Sequence, residues 1–302
     1  MSLIDQALTP DNLRIAWQQV AANAGSPGVD DVSIADWRRD WEANLAQLAD
    51  DVRRNRYKPL PLRRFRVPKK RMPGFRTLTI LTVRDRIIQR AILNVLEPIY
   101  ERKFLDFSYG YRPDRSVGDA VERIVELRDK SFAWVLDADI DDCFPSLDHE
   151  LLRAFIREDL DDWFVLRLID LWLHQMGEGP EEKRGIALGA VISPLLCNIY
   201  LHHLDTALVA QSYIPIRYAD DFIVMCHTER HARRAYLTTA FILEELLLRY
   251  EPQKTRISSF AAGFDFLGVH FEQDTYSYHW QQKKIEVKGK FVRPWYGPDG
   301  YE

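Results

Sequence analysis

The stretch R-Y-A-D-D-F-I-V-M-C, residues 217–226, sets two adjacent aspartates, Asp220 and Asp221, directly ahead of five residues that ask for burial. Unpaired carboxylates cannot enter a dry core without a large desolvation cost, and adjacent like charges make that cost worse. The chain must turn here. Tyr213 to Cys226 therefore reads as a strand, a tight turn at Ala219 to Asp221 and a second strand. The two acids then either face water, as turn residues commonly do, or hold a cation. A second acidic cluster, Asp137, Asp139, Asp141 and Asp142, follows the apolar run Phe132 to Leu136, and the stretch Phe132 to Phe144 alternates in the manner of a strand. Two carboxylate-bearing strand ends in one sheet are the arrangement that binds hard divalent cations through oxygen. A pair of such ions stabilises both the attacking and the leaving oxygen of an in-line phosphoryl displacement, and nucleotide transfer fits that demand.

Phosphates also need cations from the protein. From Val52 to Arg84 the chain has no Asp or Glu, yet it carries Arg53, Arg54, Arg56, Lys58, Arg63, Arg64, Arg66, Lys69, Lys70, Arg71, Arg76 and Arg84. Tyr57, Phe65 and Phe75 are interleaved with them, the mixture expected where a polyanion is gripped by its phosphates and flanked by stacking surfaces. A solvated basic loop is the plainer alternative. The formal net charge of -4 conceals this segregation. A smaller basic set, Lys283, Lys284, Lys288, Lys290 and Arg293, lies near the C-terminus.

A chain of 302 residues that is 46% hydrophobic can bury a sizeable core. No apolar run approaches the length of a bilayer span, and M-S-L-I-D-Q lacks the regions of a signal peptide. The expectation is a cytoplasmic protein with no membrane partner. Cys143, Cys197 and Cys226 lie far apart with no C-x-x-C pair, which argues for core thiols rather than a disulfide framework or zinc site.

Helical patterns surround the acidic strands. Thr9 to about Asp51 reads as two helices broken by G-S-P-G at Gly25 to Gly28, with Asn12 or Asp11 as the first cap. Thr82 opens a long helix whose Val83, Ile87, Ile88, Ala91, Ile92, Val95, Leu96 and Ile99 make one buried face. Another helix begins near Asp148, and Ser193-Pro194 starts one that runs to about Leu208. Glu229 to Tyr250 is amphipathic, and G-F-D-F-L-G-V-H-F returns to strand. Strand, helix, helix, hairpin, helix, strand is an α+β order, with an antiparallel sheet covered by helices on one face.

A set of motifs goes further. In order they are G-S-P-G-V-D-D, V-P-K-K-R-M-P-G-F-R-T-L, V-R-D-R-I-I-Q-R-A, F-S-Y-G-Y-R-P-D-R-S and D-A-D-I-D-D-C-F. They continue with L-G-A-V-I-S-P-L-L-C-N-I-Y-L, R-Y-A-D-D-F, P-Q-K-T and G-F-D-F-L-G. From about Asn12 to Gly268 the chain resembles a reverse transcriptase of the bacterial group II intron-like lineage. The resemblance implies a right-hand polymerase fold, its palm an antiparallel sheet backed by helices, with fingers and a short or absent thumb. It implies one reverse transcriptase domain over 1–302, with fingers at about 1–100 and 147–192 and palm at about 101–146 and 193–275. Residues 276–302 are then a C-terminal tail or incomplete thumb, since Tyr276, Tyr278, Trp280, Trp295 and Tyr296 read as strands or an aromatic tail.

The same resemblance assigns roles. Asp139, Asp220 and Asp221 match the catalytic metal-binding aspartates, and the Ile140 carbonyl would complete the shell of two Mg2+ ions, for which Mn2+ can substitute. Lys69, Arg76, Phe144, Leu188, Gly189 and Lys254 match nucleotide-binding positions. Among these, Phe144 would crowd a ribose 2'-hydroxyl, its alternative being a plain core phenylalanine, and Lys254 would serve as proton donor to pyrophosphate. Phe266, Leu267 and Gly268 match the primer grip, while Arg63, Arg64, Arg66, Lys70, Arg71 and Arg112 are candidates for nucleic-acid contact. Asp137, Asp141 and Asp142 have no catalytic counterpart and are left as solvated acids or acids one step behind the ligands. RNA template, DNA or RNA primer and dNTPs would be the substrates.

Two departures from the family pattern bear on function. Leu188-Gly189 stands where Gln-Gly is usual, with Ala187 in place of a frequent proline, which implies altered nucleotide handling. Only 34 residues follow Gly268, where group II intron proteins continue into a helical thumb. Family analogy then suggests a role in bacterial antiviral defence or CRISPR spacer acquisition, with an integrase-like partner or a structured noncoding RNA. The competing readings are an untemplated or protein-primed nucleotide polymerase and a noncatalytic RNA-binding subunit. Intact Asp139, Asp220 and Asp221 argue against the latter.

Overall fold

The computed structural model of the chain describes residues 1–68, 75–177, 183–281, 283–293, 295 and 297. It divides into one unit of Met1–Lys103 with Phe144–Ile199 and a second of Phe104–Cys143 with Tyr200–Glu302.

In the first unit, Ser2 caps α1 (Leu3–Ala7) and Thr9 caps α2 (Pro10–Ala22), with Pro10 in its first turn. Ser33 and Asp36 close a capping box at the start of α3 (Ile34–Arg39), and α4 (Trp41–Arg53) follows. Between Thr9 and Asp51 three helices thus replace the expected two, because the caps divide a pattern that hydrophobic periodicity runs together. Thr9, not Asn12 or Asp11, supplies the cap of α2; the Asn12 amide instead donates to the carbonyls of Ala7 and Ala91. The basic segment forms an antiparallel ribbon of β1 (Arg63–Pro68) and β2 (Phe75–Ile80). Most of its residues are exposed, so no buried face announced these strands. Thr82 caps α5 (Val83–Glu101), as the sequence indicates.

The chain continues through α6 (Val117–Asp129), β3 (Trp134–Asp139), α7 (Cys143–Ser146), α8 (His149–Asp159), α9 (Trp163–Met176) and α10 (Ser193–Ala210). The expected strand Phe132–Phe144 is shorter, because Asp142 adopts a left-handed φ of 39° and Cys143 opens a helical turn. Within the first unit a buried network joins α5 to α9. The Asp85 carboxylate accepts from the Tyr57 hydroxyl at 2.7 Å and the Leu60 amide at 3.0 Å, and the Trp172 indole donates to the Tyr57 oxygen.

The second unit holds β4 (Ile214–Tyr218), β5 (Asp221–Cys226), α11 (Glu229–Glu245) and β6 (Arg256–Ser259), in an antiparallel sheet of order β4-β5-β3-β6. With β3, α10 and α11 this is a split β-α-β-β-α-β arrangement, which puts the first and third of its strands side by side at the centre. Both faces of the sheet are buried, not one. Val135, Ile216, Ile223 and Met225 share a core with α6, while the alternate residues Leu136, Phe222, Val224 and Cys226 are also buried and α11 packs on β3, β5 and β6. Helix α11 stops at Glu245 rather than reaching Tyr250, since Leu247 turns left-handed (φ 53°) and Tyr250 bridges to Ile140.

A second sheet, the meander β7 (Phe264–Phe266), β8 (Val269–Glu272), β9 (Thr275–Trp280) and β10 (Lys283–Lys288), takes up the aromatic C-terminal region. The single strand expected across Gly263–Phe271 is a hairpin, turned by Leu267 and Gly268 at φ 52° and 75°. Phe291 and Trp295 pack on Tyr276 and Tyr278, and Arg293 pairs with Asp119 and Glu122 of α6. Tyr296 lies outside the described residues. All three cysteines are buried thiols. No helix among the described residues is long and apolar enough to cross a membrane.

Candidate active site

The register of the central sheet builds the site. Asp139, the last residue of β3, stands directly opposite Asp221, the first residue of β5. Opposite residues in an antiparallel ladder point to the same face, so two carboxylates are forced together. Asp220 occupies the two-residue turn beside Ala219, between Tyr218 and Asp221. The turn places φ of Ala219 at 60°, a conformation usually left to glycine.

Backbone bonds bring a fourth group to the same place. The Glu251 amide donates to the Asp139 carbonyl at 2.8 Å, and the Asp141 amide donates to the Arg249 carbonyl at 3.0 Å. Ile140 lies inside this bridge, facing Tyr250. The loop that follows delivers the Lys254 ammonium onto the Asp139 carboxylate. Arg249 pairs in the same way with Asp141.

The electrostatics are those of crowded acids. Burial first, then Asp137, Asp139 and Asp220, push the Asp221 carboxyl well above the usual carboxylate range. Burial and the nearby Asp139 raise Asp220. Asp139 is raised by burial more than Lys254 pulls it down. Burial works against the Lys254 charge, yet its bond to Asp139 and the charges of Asp139, Asp220 and Glu251 together outweigh this and raise the ammonium. Asp137 is buried and pushed up to about 6 by that burial, against the pull of Arg256, whose Nε donates to it at 2.9 Å from the facing position on β6. Of the two readings left open for Asp137, a solvated acid or one a step behind the ligands, the first is thereby corrected.

Among the described residues no three His, Cys, Asp or Glu side chains converge tightly enough to enclose a metal ion. The donor set nonetheless suits a hard divalent cation. It is made of carboxylate oxygens held together by register.

Other candidates lie on other elements. Phe266 and Leu267 are buried in the second unit's core, leaving Gly268 exposed at the hairpin turn. Arg112, a candidate for nucleic-acid contact, is buried instead. Its Nη1 donates to the Leu105 and Ser108 carbonyls at 2.7 Å each, and its guanidinium lies over the Phe104 ring, so it braces a loop. In the first unit, Arg63, Arg64 and Arg66 line β1, Arg66 stacking over Phe75 at 5.3 Å, and Arg76 lies on β2 beside Val67. Phe144 lies in α7, its carbonyl accepting from the Ile186 amide. The Leu188 carbonyl accepts from the Thr79 amide at 2.9 Å, and Gly189 has φ 102°. Lys69, Lys70 and Arg71 lie outside the described residues.

Sequence reasoning missed Arg217, Asp205 and Gly110. Arg217 is fully buried in β4, its Nε and Nη2 donating to Asp205 of α10 at 2.8 and 2.7 Å and its Nη1 to the Ala219 carbonyl at 2.9 Å. A Cβ on Gly110 would lie 2.3 Å from the Ala219 nitrogen, so only glycine permits this approach to the turn. The available signal was a charge inside a strand that is otherwise apolar.

Comparison with known proteins identifies the family. Residues 67–271 match the family described as "Reverse transcriptase (RNA-dependent DNA polymerase)". The chain is 30% identical to Protein YkfC of Escherichia coli K12 over 81% of its own length and 75% of that protein. It is 32% identical to the group II intron-encoded protein LtrA of Lactococcus lactis over 66% of its length, but spans 33% of that relative. In fold it is similar to telomerase from Candida albicans, with a TM-score of 0.55 at 15% identity, covering 79% of this chain and 48% of that one. The aspartates brought together by β3 and β5 thus sit in a chain that belongs to the reverse transcriptase family, with group II intron-encoded relatives.

Proposed function

We propose that the chain synthesises DNA on an RNA template, adding dNTPs to a DNA or RNA primer by two-metal nucleotidyl transfer. The observation that carries this reading is the convergence of Asp139, Asp220, Asp221 and Lys254 at one end of the central sheet. In this reading Asp139, Asp220 and Asp221, with the Ile140 carbonyl, hold two Mg2+ ions, or Mn2+ in their place. Bound there, the ions supply Lewis acidity to the 3'-hydroxyl and to the departing pyrophosphate. Lys254 carries a proton beside Asp139 and gives it to the leaving group. By resemblance, Arg76 and, outside the described residues, Lys69 take the outer phosphates, and Phe144 rejects a 2'-hydroxyl.

We further propose that the chain acts with a partner, an integrase-like protein or a structured noncoding RNA, in the setting of antiviral defence or spacer acquisition. Primer extension on primed RNA with Mg2+ or Mn2+ tests the activity. Template-directed product is expected from the native protein and none from Asp220→Ala with Asp221→Ala. No incorporation on any primed RNA would sink the reading, and product that ignores the template would replace it with untemplated synthesis. RNA crosslinked to the protein and proteins bound to it, identified by sequencing and mass spectrometry, test the partner.

A further inference from the structure

We propose that Arg217 and Asp205 form a positioning clamp that sets where Asp220 and Asp221 stand; the inference rests on the polymerase reading of that site. Ala219 holds a left-handed φ of 60°, which is unfavourable for a residue with a Cβ, so the turn needs outside restraint to keep one shape. The Arg217 guanidinium supplies it by bonding the Ala219 carbonyl at 2.9 Å, one peptide ahead of Asp220. Asp205 fixes the guanidinium in a two-pronged fork, at 2.8 Å to Nε and 2.7 Å to Nη2.

Backbone contacts close the clamp from the other side. The Arg217 amide donates to the Phe107 carbonyl and the Arg217 carbonyl accepts from the Tyr109 amide, both at 2.8 Å. Gly110 then lies against the Ala219 nitrogen. The turn is thus held by its carbonyl, its preceding strand and its nitrogen.

A buried ion pair is weak evidence for stability, because replacing both partners with neutral groups is often harmless. Arg217 and Asp205 are both almost fully buried, at 1% and 2% side-chain exposure. The fork makes their geometry directional, and that is what a positioning group needs. The clamp touches no reacting atom. Its effect reaches chemistry through the placement of carboxylates, where an ångström of displacement costs on the order of a hundredfold in rate.

The test uses the full chain and three variants: Arg217→Lys, which keeps the charge but loses the fork, Asp205→Asn, and the double variant Arg217→Gln with Asp205→Asn, which leaves no unpaired buried charge. Thermal melting reports folding, Mn2+ binding to the protein alone is read by electron paramagnetic resonance, and primer extension gives kcat and the dNTP KM. For Arg217→Lys and the double variant, folding is retained, Mn2+ affinity falls about tenfold and kcat falls by about a hundredfold, with the dNTP KM nearly unchanged. Asp205→Asn shows the same losses or a lowered melting temperature. A folded double variant with native Mn2+ affinity and native kcat overturns the clamp, since a purely structural pair would behave so. Mn2+ binding is independent of turnover. A native protein that binds Mn2+ but extends no primer therefore sinks the polymerase reading and leaves the clamp to be judged on metal affinity.

Discussion

Asp139 and Asp221 face one another across the β3–β5 ladder, a pairing of like charges at the end of a ladder whose preceding pairs are largely apolar. Sheets avoid such pairs because they destabilise the ladder. Here the register of the surrounding apolar residues, Val135 with Met225 and Leu136 with Val224, enforces it. A one-residue slip would turn every one of those side chains to the other face, so the core holds the acids where they repel.

Removing one of the two charges should therefore help the fold and harm the chemistry. Asp221→Asn is expected to raise stability by about 0.5 kcal/mol in chelator, by denaturant melting, because it relieves the facing repulsion. Incorporation should fall by about a hundredfold or more. Unchanged or lowered stability in chelator would show that the facing charges do not repel as argued.

The same crowding sets a pH dependence. A carboxyl whose folded pKa lies above its unfolded value of about 3.9 favours the fold while protonated. That stability is fully present below the unfolded value and is lost as pH rises through the folded one, about 6 for Asp137. Asp220 and Asp221 are shifted in the same direction. In chelator, the melting temperature of Asp221→Asn relative to the native chain should accordingly climb as pH rises above about 4. A difference that stays flat as pH rises would mean that Asp221 titrates alike folded and unfolded.

Lys254 offers a cleaner separation of charge from proton transfer. Lys254→Arg keeps a cation beside Asp139 but cannot release a proton near neutral pH. Single-turnover incorporation should slow by about a hundredfold with the dNTP KM little changed, while Lys254→Ala should raise KM as well. Native single-turnover rates in the arginine variant would leave Lys254 only an electrostatic role.

How much of this was legible in the sequence depends on what each residue bonds to. The hairpin of Tyr213–Cys226 was readable because charges interrupt an apolar run, and α5 because Thr82 caps it locally. The ribbon of β1 and β2 was not, since its ladder is closed by backbone bonds and exposed side chains carry no period. Asp137 stayed open between a solvated acid and one a step behind the ligands because its partner, Arg256, is distant in sequence. Arg217 reads from sequence as one more charged residue before a turn, and only the approach of α10 shows that Asp205 waits for it. Family resemblance placed the aspartates; it said nothing of what holds them.

The Leu188 departure can be tested without disturbing the fold. Its backbone is already tied to β2, the Leu188 carbonyl accepting from the Thr79 amide at 2.9 Å, and its side chain is partly exposed. Leu188→Gln should therefore leave the melting temperature close to native while changing the dNTP KM, the misincorporation rate or the preference among nucleotides. Gly189→Ala is the contrasting control. With φ at 102° and an added Cβ 2.5 Å from the Thr79 carbonyl oxygen, it should cost about 1–3 kcal/mol of stability in denaturant melts. If Leu188→Gln alters none of the three kinetic quantities while Gly189→Ala destabilises as expected, the side chain at 188 has no part in nucleotide handling and the segment serves the fold alone.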